Sequence, residues 1–318
     1  MDIWQGLEQV SVATRSVVTI GVFDGVHRGH QSLITEATAR ARELNLPSVL
    51  MTFDPHPAAV IRPDKMPPML GTMEDRAAMV SNLGIDAMLA LPFTRDLAQL
   101  TPEEFFTSVL VDTLKAAVVI VGANFTFGQR AAGNTDTLQE LGEKYGVEVI
   151  VMPLLTDSGV RCSSSTVRRF LSEGNVAAAA KVLGRPYSVT ETVVRGAGRG
   201  GKELGFPTAN MYFPEKRALP TDGVYAGWFV IGSTAPIQGD MERGVRYPAA
   251  ISVGTNPTFG DTRRSVETYI LDQHADLYGH DCTVLFVERV RGMKKFESVD
   301  ELLAAMHNDV ARIREILK

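Results

Sequence analysis

Two histidines three residues apart, His27 and His30, stand in the run Gly21-Val22-Phe23-Asp24-Gly25-Val26-His27-Arg28-Gly29-His30-Gln31. Two imidazoles at i and i+3 on the first turn of a helix can both reach one phosphate. The same pair could bind a metal or simply sit at a surface. No third soft ligand lies close in sequence, which weighs against zinc. Gly21, Gly25 and Gly29 let the backbone turn tightly and come close to a ligand, which favours phosphate. A second anion-seeking stretch is Arg161-Cys162-Ser163-Ser164-Ser165-Thr166-Val167-Arg168. One of its hydroxyls caps the helix that follows. The others, with free N–H groups and two arginines, make an anion site. Asn124, in Gly122-Ala123-Asn124-Phe125-Thr126-Phe127-Gly128, and Asp54-Pro55-His56-Pro57 are polar turns; either could be no more than a turn.

These residues need elements to hold them. Val17–Val22 reads as a buried strand that runs straight into the histidines. Leu33, Ile34, Ala37, Ala41 and Leu44 then fall on one helical face. Further apolar runs lie at Val49–Phe53, Ala87–Leu91, Ala117–Val121 and Val147–Met152, with helical patterns over roughly 30–44, 73–82, 102–114 and 135–145. Thr101-Pro102-Glu103-Glu104 is a capping box with proline at the first helical position. The alternation predicts an α/β domain with a doubly wound parallel sheet. Such sheets bind ligands beyond the carboxyl ends of their strands, where four of these polar segments would converge.

The rhythm changes after Gly184-Arg185-Pro186, so the expected domains are 1–186 and 187–318. Short strand patterns at Ser188–Val194, Val224–Val230, Tyr247–Val253, Ser265–Leu271 and Cys282–Val290 suggest a small antiparallel β-barrel. Ser298-Val299-Asp300-Glu301 opens a terminal helix from Leu302 to Leu317. Gly196-Ala197-Gly198-Arg199-Gly200-Gly201-Lys202-Glu203 matches two phosphate-loop patterns and fails both. Glu203 stands where a P-loop needs Ser or Thr, and Gly205-Phe206-Pro207 follows instead of a helix. It reads either as a surface loop or as a flap whose N–H groups fold over phosphates. On an extended strand Thr208 and Asn210 share a face and offer two oxygens, the donor that magnesium prefers.

The first run resembles the nucleotidylyltransferase superfamily, and both halves together resemble the bacterial bifunctional riboflavin kinase/FMN adenylyltransferases, or FAD synthetases. The motifs concerned are Gly21-x-Phe23-Asp24-Gly25-Val26-His27-x-Gly29-His30, Arg161 to Arg168 and Pro207-Thr208-Ala209-Asn210. Cys162 and Ser165 depart from the family pattern, which has Ile and Thr there. The resemblance implies phosphorylation of riboflavin to FMN, then adenylylation of FMN to FAD, each with ATP and Mg2+. It implies that Gly21, Phe23, Asp24, His27, His30, Asn124, Arg161, Ser164 and Arg168 bind ATP for adenylyl transfer. His27 and His30 would be catalytic there, and Asp54, His56 and Asn124 would lie near FMN. For the kinase it implies phosphate binding by Gly198, Gly200, Gly201, Lys202, Thr208 and Asn210. Thr208 and Asn210 would hold the metal, and Glu267 would be the catalytic base.

The 318 residues suffice for two cores. With 45% hydrophobic and 22% charged residues and a net charge of −5, the chain reads as a globular protein for small-molecule substrates, without a nucleic-acid footprint. Cys162 and Cys282 form no disulfide framework and fit a reducing compartment. Met1-Asp2-Ile3-Trp4-Gln5 does not read as a signal peptide, and no apolar run approaches the ~20 residues that cross a membrane. These features point to the cytoplasm and to no membrane partner; they leave the oligomeric state open.

Overall fold

The structure, a computed structural model, describes residues 1–195, 206–256 and 261–318. The chain divides into two compact units, Met1–Ser164 and Ser165–Lys318.

The first unit is a parallel sheet of β1 (Asp2–Trp4), β2 (Ser16–Ile20), β3 (Ser48–Asp54), β4 (Ala87–Pro92), β5 (Ala116–Gly122) and β6 (Glu148–Met152). Their order is β1-β4-β3-β2-β5-β6, and every neighbouring pair is parallel. All five residues of β2 are buried, which is why its sequence is a run and not an alternation. Helix α1 (Arg28–Leu44) lays Ala37 and Ala41 against one face with Val17, Val118 and Ile120, and packs Ile34 with Phe23 and Leu50. The opposite face carries Val18, Val49, Leu89 and Val119 against Phe106, Leu110 and Leu138. Each such buried side chain contributes roughly 1.5–3 kcal/mol. Helix α2 (Pro57–Ile61) follows β3, and α3 (Met73–Asn82) packs Ala77 and Val80 beside Leu50 and Met88. Helix α4 (Pro102–Phe105) has the expected capping box, then continues as a π-helix over Phe106–Thr113, and α5 is Thr135–Tyr145. The hairpin β7 (Thr156–Asp157) and β8 (Val160–Arg161) ends the unit.

From β2 the chain winds outward through β3 and β4 on one side; β5 and β6 lie on the other. The winding reverses between β2 and β5. A crevice therefore opens at their carboxyl ends, the switch point of such a sheet.

The second unit is a six-stranded antiparallel barrel. Its strands are β9 (Tyr187–Thr192), β10 (Ala209–Tyr212), β11 (Gly223–Ile231), β13 (Tyr247–Asn256), β14 (Asp261–Ile270) and β16 (Asp281–Gly292). The order is β10-β14-β13-β11-β16-β9, and a minor pair joins β12 (Gln238–Gly239) to β15 (Ala275–Asp276). An antiparallel bridge between Val194 and Asn210 brings the two outer strands together, so the barrel nearly closes. The C-terminal helix Val299–Ile316 lies over Val224, Ala226 and Leu271 through Ile313. Ser298 caps it by accepting from the Glu301 N–H. Glu301 reaches the Glu297 N–H and not Ser298, so only half of the expected box forms. Most of α6 (Ser164–Ser172) and all of α7 (Val176–Leu183), which the sequence rhythm grouped with the sheet, fall within the second compact unit.

Gly227 sits beside a register shift in the β11–β16 ladder. A Cβ there would lie 2.0 Å from the Leu285 carbonyl oxygen and 2.4 Å from Ile251 Cδ1. Gly227→Ala should therefore destabilise the barrel by about 1–3 kcal/mol. Gly232→Ala, whose Cβ meets nothing closer than 3.4 Å, should change stability by less than about 0.5 kcal/mol. Denaturant unfolding of the two variants measures the contrast.

Candidate active site

Between Ile20 and Arg28 the chain turns through three left-handed residues, Phe23 (φ 52°), Gly25 (φ 75°) and Val26 (φ 38°). For a β-branched valine this is a strained conformation. The turn is fixed by burial of Phe23 and Val26 and by hydrogen bonds at its polar atoms. Leu70 N–H donates to both carboxylate oxygens of Asp24 at 3.1 and 3.2 Å. Ser164 Oγ donates to Asp24 O, and Gln31 Nε2 to Val26 O, each at 2.9 Å.

The turn delivers His27 to the N-cap of α1, where its Nδ1 accepts from the His30 N–H at 3.2 Å. When neutral, His27 therefore carries its proton on Nε2. The two imidazoles stack with ring centroids 3.6 Å apart, and Phe23 meets His30 edge-on at 5.0 Å. Gly29 lets them crowd together: a Cβ there would lie 3.2 Å from the His27 ring and from the Cys162 carbonyl oxygen. Burial, then His27, then Arg76 push the pKa of His30 well below the ordinary histidine value. His30 is thus neutral at physiological pH. Its Nδ1 is buried and has no partner among the described residues.

A cavity of about 1100 Å³ opens at the switch point of the sheet. Gly21, Phe23, His27 and His30 line it from the first strand and helix, Asn124 from the loop after β5, and Arg161 from the β7–β8 hairpin. Small-molecule sites usually measure roughly 300–1,000 Å³, so this one is large enough for two substrates. One wall is aromatic, with Phe53, Phe93, Phe105, Phe125 and Phe127. Arg62, Lys65 and Arg130 add positive charge.

Other expected residues sit differently. Asp24 supports the turn from beneath and does not line the cavity; neither do Asp54 and His56, although Phe53, Pro57 and Ala58 do. His56 caps α2 through Nδ1, which accepts from the Ala58 N–H at 3.0 Å. Ser164 is bonded to the turn. Arg168 lies one helical turn further along α6, in the second unit. The sequence reading missed Arg62, Lys65 and Arg130. The only signal was their position in proline- or glycine-rich turns just beyond the β3 and β5 strand ends.

In the second unit Asn210 on β10 pairs directly with Glu267 on β14. Opposed side chains on neighbouring strands stand roughly 5 Å apart on one face. Ala209, Met211, Val266 and Thr268 are buried on the other face. Thr208 and Asn210 share a side, as expected for an extended segment. Asn210 Nδ2 donates to Thr208 O at 2.9 Å, which leaves Oδ1 as an acceptor. Ser265 Oγ reaches Glu267 Oε1 at 3.4 Å. Gly198, Gly200, Gly201 and Lys202 lie outside the described residues.

A switch-point cavity lined by imidazoles and cations in one unit, and a barrel strand that groups hydroxyl, amide and carboxylate oxygens in the other, are the features of a two-module enzyme that handles phosphates. The FAD synthetase family model matches residues 9–166 and the riboflavin kinase model residues 183–317. The chain is 34% identical to the bifunctional riboflavin kinase/FMN adenylyltransferase of Escherichia coli K12, over 99% of this chain and 97% of that one. It is 32% identical to that of Bacillus subtilis, over 93% and 90%. A crystal structure described as a macrolide-efflux protein from Streptococcus pneumoniae matches with a TM-score of 0.86 and 31% identity over 98% of each chain. No helix among the described residues is long and apolar enough to cross a membrane. The chain belongs to the bifunctional riboflavin kinase/FMN adenylyltransferase family. It phosphorylates riboflavin to FMN and adenylylates FMN to FAD, with ATP in both reactions.

The lowered pKa of His30 has a consequence for stability. In the unfolded chain a histidine takes up its proton near pH 6.5. In the folded chain His30 does so only at much lower pH. Between the two values the unfolded state binds more protons, so stability falls as pH drops below about 6.5, by up to about 1.4 kcal/mol per unit. His30→Asn should flatten that dependence; melting curves from pH 7 to 5 on both proteins measure it.

Proposed function

We propose that FMN adenylylation occurs in the switch-point cavity, within residues 1–186, and riboflavin phosphorylation on the barrel, within 187–318. The observation that carries the first assignment is the meeting of His27, His30, Asn124 and Arg161 around one cavity. There an oxygen of the FMN phosphate attacks the α-phosphorus of ATP. The new P–O bond forms as the α–β bridge breaks, and pyrophosphate leaves. The attacking phosphate is already ionised, so no base is required. The task is positioning and charge stabilisation. His27 Nε2–H and the neutral His30 act as hydrogen-bonding groups on the reacting phosphates. Arg161, Ser164 and Arg168 bind the departing pyrophosphate, and Gly21 and Phe23 admit the nucleotide close to the backbone. The aromatic wall and Asn124 accommodate the flavin, with Asp54 and His56 shaping the turn below it.

On the barrel Glu267 accepts the proton of the riboflavin 5′-hydroxyl as its oxygen takes the ATP γ-phosphoryl group. Thr208 Oγ1 and Asn210 Oδ1 are hard oxygen donors that fit Mg2+. Bound there with ATP, the ion would neutralise phosphate charge. Gly198, Gly200, Gly201 and Lys202 precede this strand and would cover the phosphates. The net charge of −5 gives no support for nucleic-acid binding. Two buried free cysteines accord with the cytoplasm.

The two sites should be separable. Thr208→Ala and Asn210→Ala should each lower riboflavin phosphorylation by about 100-fold or more and leave FMN adenylylation near normal. His30→Ala should do the opposite. Chromatography of flavins after incubation with ATP, magnesium and either riboflavin or FMN reads both activities. Loss of both from one substitution in a folded protein would refute independent sites.

A further inference from the structure

Arg76 is a buried cation that the reaction as described does not use. It sits on α3, is only 4% exposed, and does not line the switch-point cavity. Burying a guanidinium costs several kcal/mol unless it is well paired. If packing alone were needed here, Leu or Met would serve beside Ala77 and Val80. The charge is kept, and its contacts show where it acts. Nη1 donates to Thr52 Oγ1 at 2.8 Å, and Thr52 Oγ1 donates to Val22 O at 3.0 Å. Thr52, on β3, is fully buried. Val22 is the residue from which the chain enters the left-handed turn at Phe23, Gly25 and Val26. Arg76 also attracts the carboxylates of Asp24, within the turn, and Asp54.

We propose that Arg76 is a positioning residue for adenylyl transfer: through Thr52 it anchors the Val22 carbonyl and so fixes the turn that presents His27 and His30. The relay crosses from α3 through β3 to the turn and ends on backbone. It therefore sets where the imidazoles stand without touching a substrate. Hydroxyl and guanidinium are both needed. Without Thr52 Oγ1 both bonds of the relay are lost; without Arg76 the hydroxyl keeps its bond to the Val22 carbonyl but loses the donor that fixes it from the other side. The inference rests on the assignment of the imidazoles to adenylyl transfer.

The test is steady-state kinetics of both activities in the full-length Arg76→Met, Arg76→Lys and Thr52→Val variants, with His30→Ala alongside. Misplacing reacting groups by about an ångström costs up to about 100-fold in rate. Arg76→Met and Thr52→Val should lower kcat for FMN adenylylation by about 10- to 100-fold and change the KM for ATP by less than about threefold. Arg76→Lys, which keeps the charge and one donor to Thr52, should recover kcat to within about threefold of the native enzyme. Riboflavin phosphorylation should stay unchanged in all three. Thr52→Val is nearly isosteric and keeps the test open should Arg76→Met fold poorly. Native adenylylation in Thr52→Val, a parallel loss of both activities, or a Lys variant as slow as Met would overturn the proposal. If His30→Ala itself adenylylates normally, the assignment of the imidazoles fails instead.

Discussion

The strand that carries the two histidines hands its chain to the helix through backbone geometry that side-chain-bearing residues rarely adopt. Here the handover runs through φ values of 52°, 75° and 38° at Phe23, Gly25 and Val26. Each non-glycine residue in such a conformation costs on the order of 1–3 kcal/mol, so it persists only where the surroundings over-determine it. They do so from several directions. Phe23 and Val26 are buried in the core with Ile34 and Leu50. Leu70 and Ser164 bond Asp24, Gln31 bonds Val26, and Thr52 bonds Val22. The segments involved lie as much as 140 residues apart in sequence. The site therefore exists only once the whole first unit has folded around the turn.

The electrostatics follow from that geometry. Stacked imidazoles 3.6 Å apart cannot both be charged cheaply, and burial of His30 beside the Arg76 charge decides against its protonation. A neutral imidazole at His30 can bond to phosphate but cannot cancel its charge. That duty falls to guanidinium and ammonium groups, and Arg161, Arg62, Lys65 and Arg130 all line the same cavity. The cavity is cationic within a chain whose net charge is −5. Arg28, the cation nearest in sequence, is instead drawn into an ion pair with Asp157 of the β7–β8 hairpin, which also carries Arg161 toward the cavity.

What could be seen in the sequence were features that repeat or that restrict the backbone. Five strands of the first sheet were readable because β2 through β6 are apolar runs. The edge strand Asp2–Trp4 was not, because only Trp4 of its three residues is buried. The helix expected over 102–114 formed in one piece, but its π geometry after Phe105 has no mark in residue type. Glycines flagged His27 and His30; Arg62, Lys65 and Arg130 had only their place in proline- or glycine-rich turns to mark them, single cations brought to the cavity by the folding of distant loops. Arg76 was hidden more thoroughly. In Met73-Glu74-Asp75-Arg76-Ala77-Ala78 it looks like one member of a solvated helical charge pattern, whereas α3 turns it inward. Asp54 and His56 stood out because they follow a strand; neither lines the cavity, and His56 caps α2 through Nδ1.

The chemistry of the two acceptors explains why one chain would keep two unlike sites. Riboflavin offers a hydroxyl, whose proton must go somewhere as phosphorus arrives. On the proposed assignment the Glu267 carboxylate would take it, with a cation accompanying the phosphates nearby. The oxygens of Thr208 and Asn210 are what a hard divalent ion would bind. FMN offers an oxygen that is already anionic. On the proposed assignment it needs no carboxylate base, and among the described residues the lining of the switch-point cavity has no acidic side chain and four cationic ones. The two acceptors thus favour differently charged surroundings: a carboxylate beside a hydroxyl that must lose its proton, and cations beside a phosphate that is already ionised.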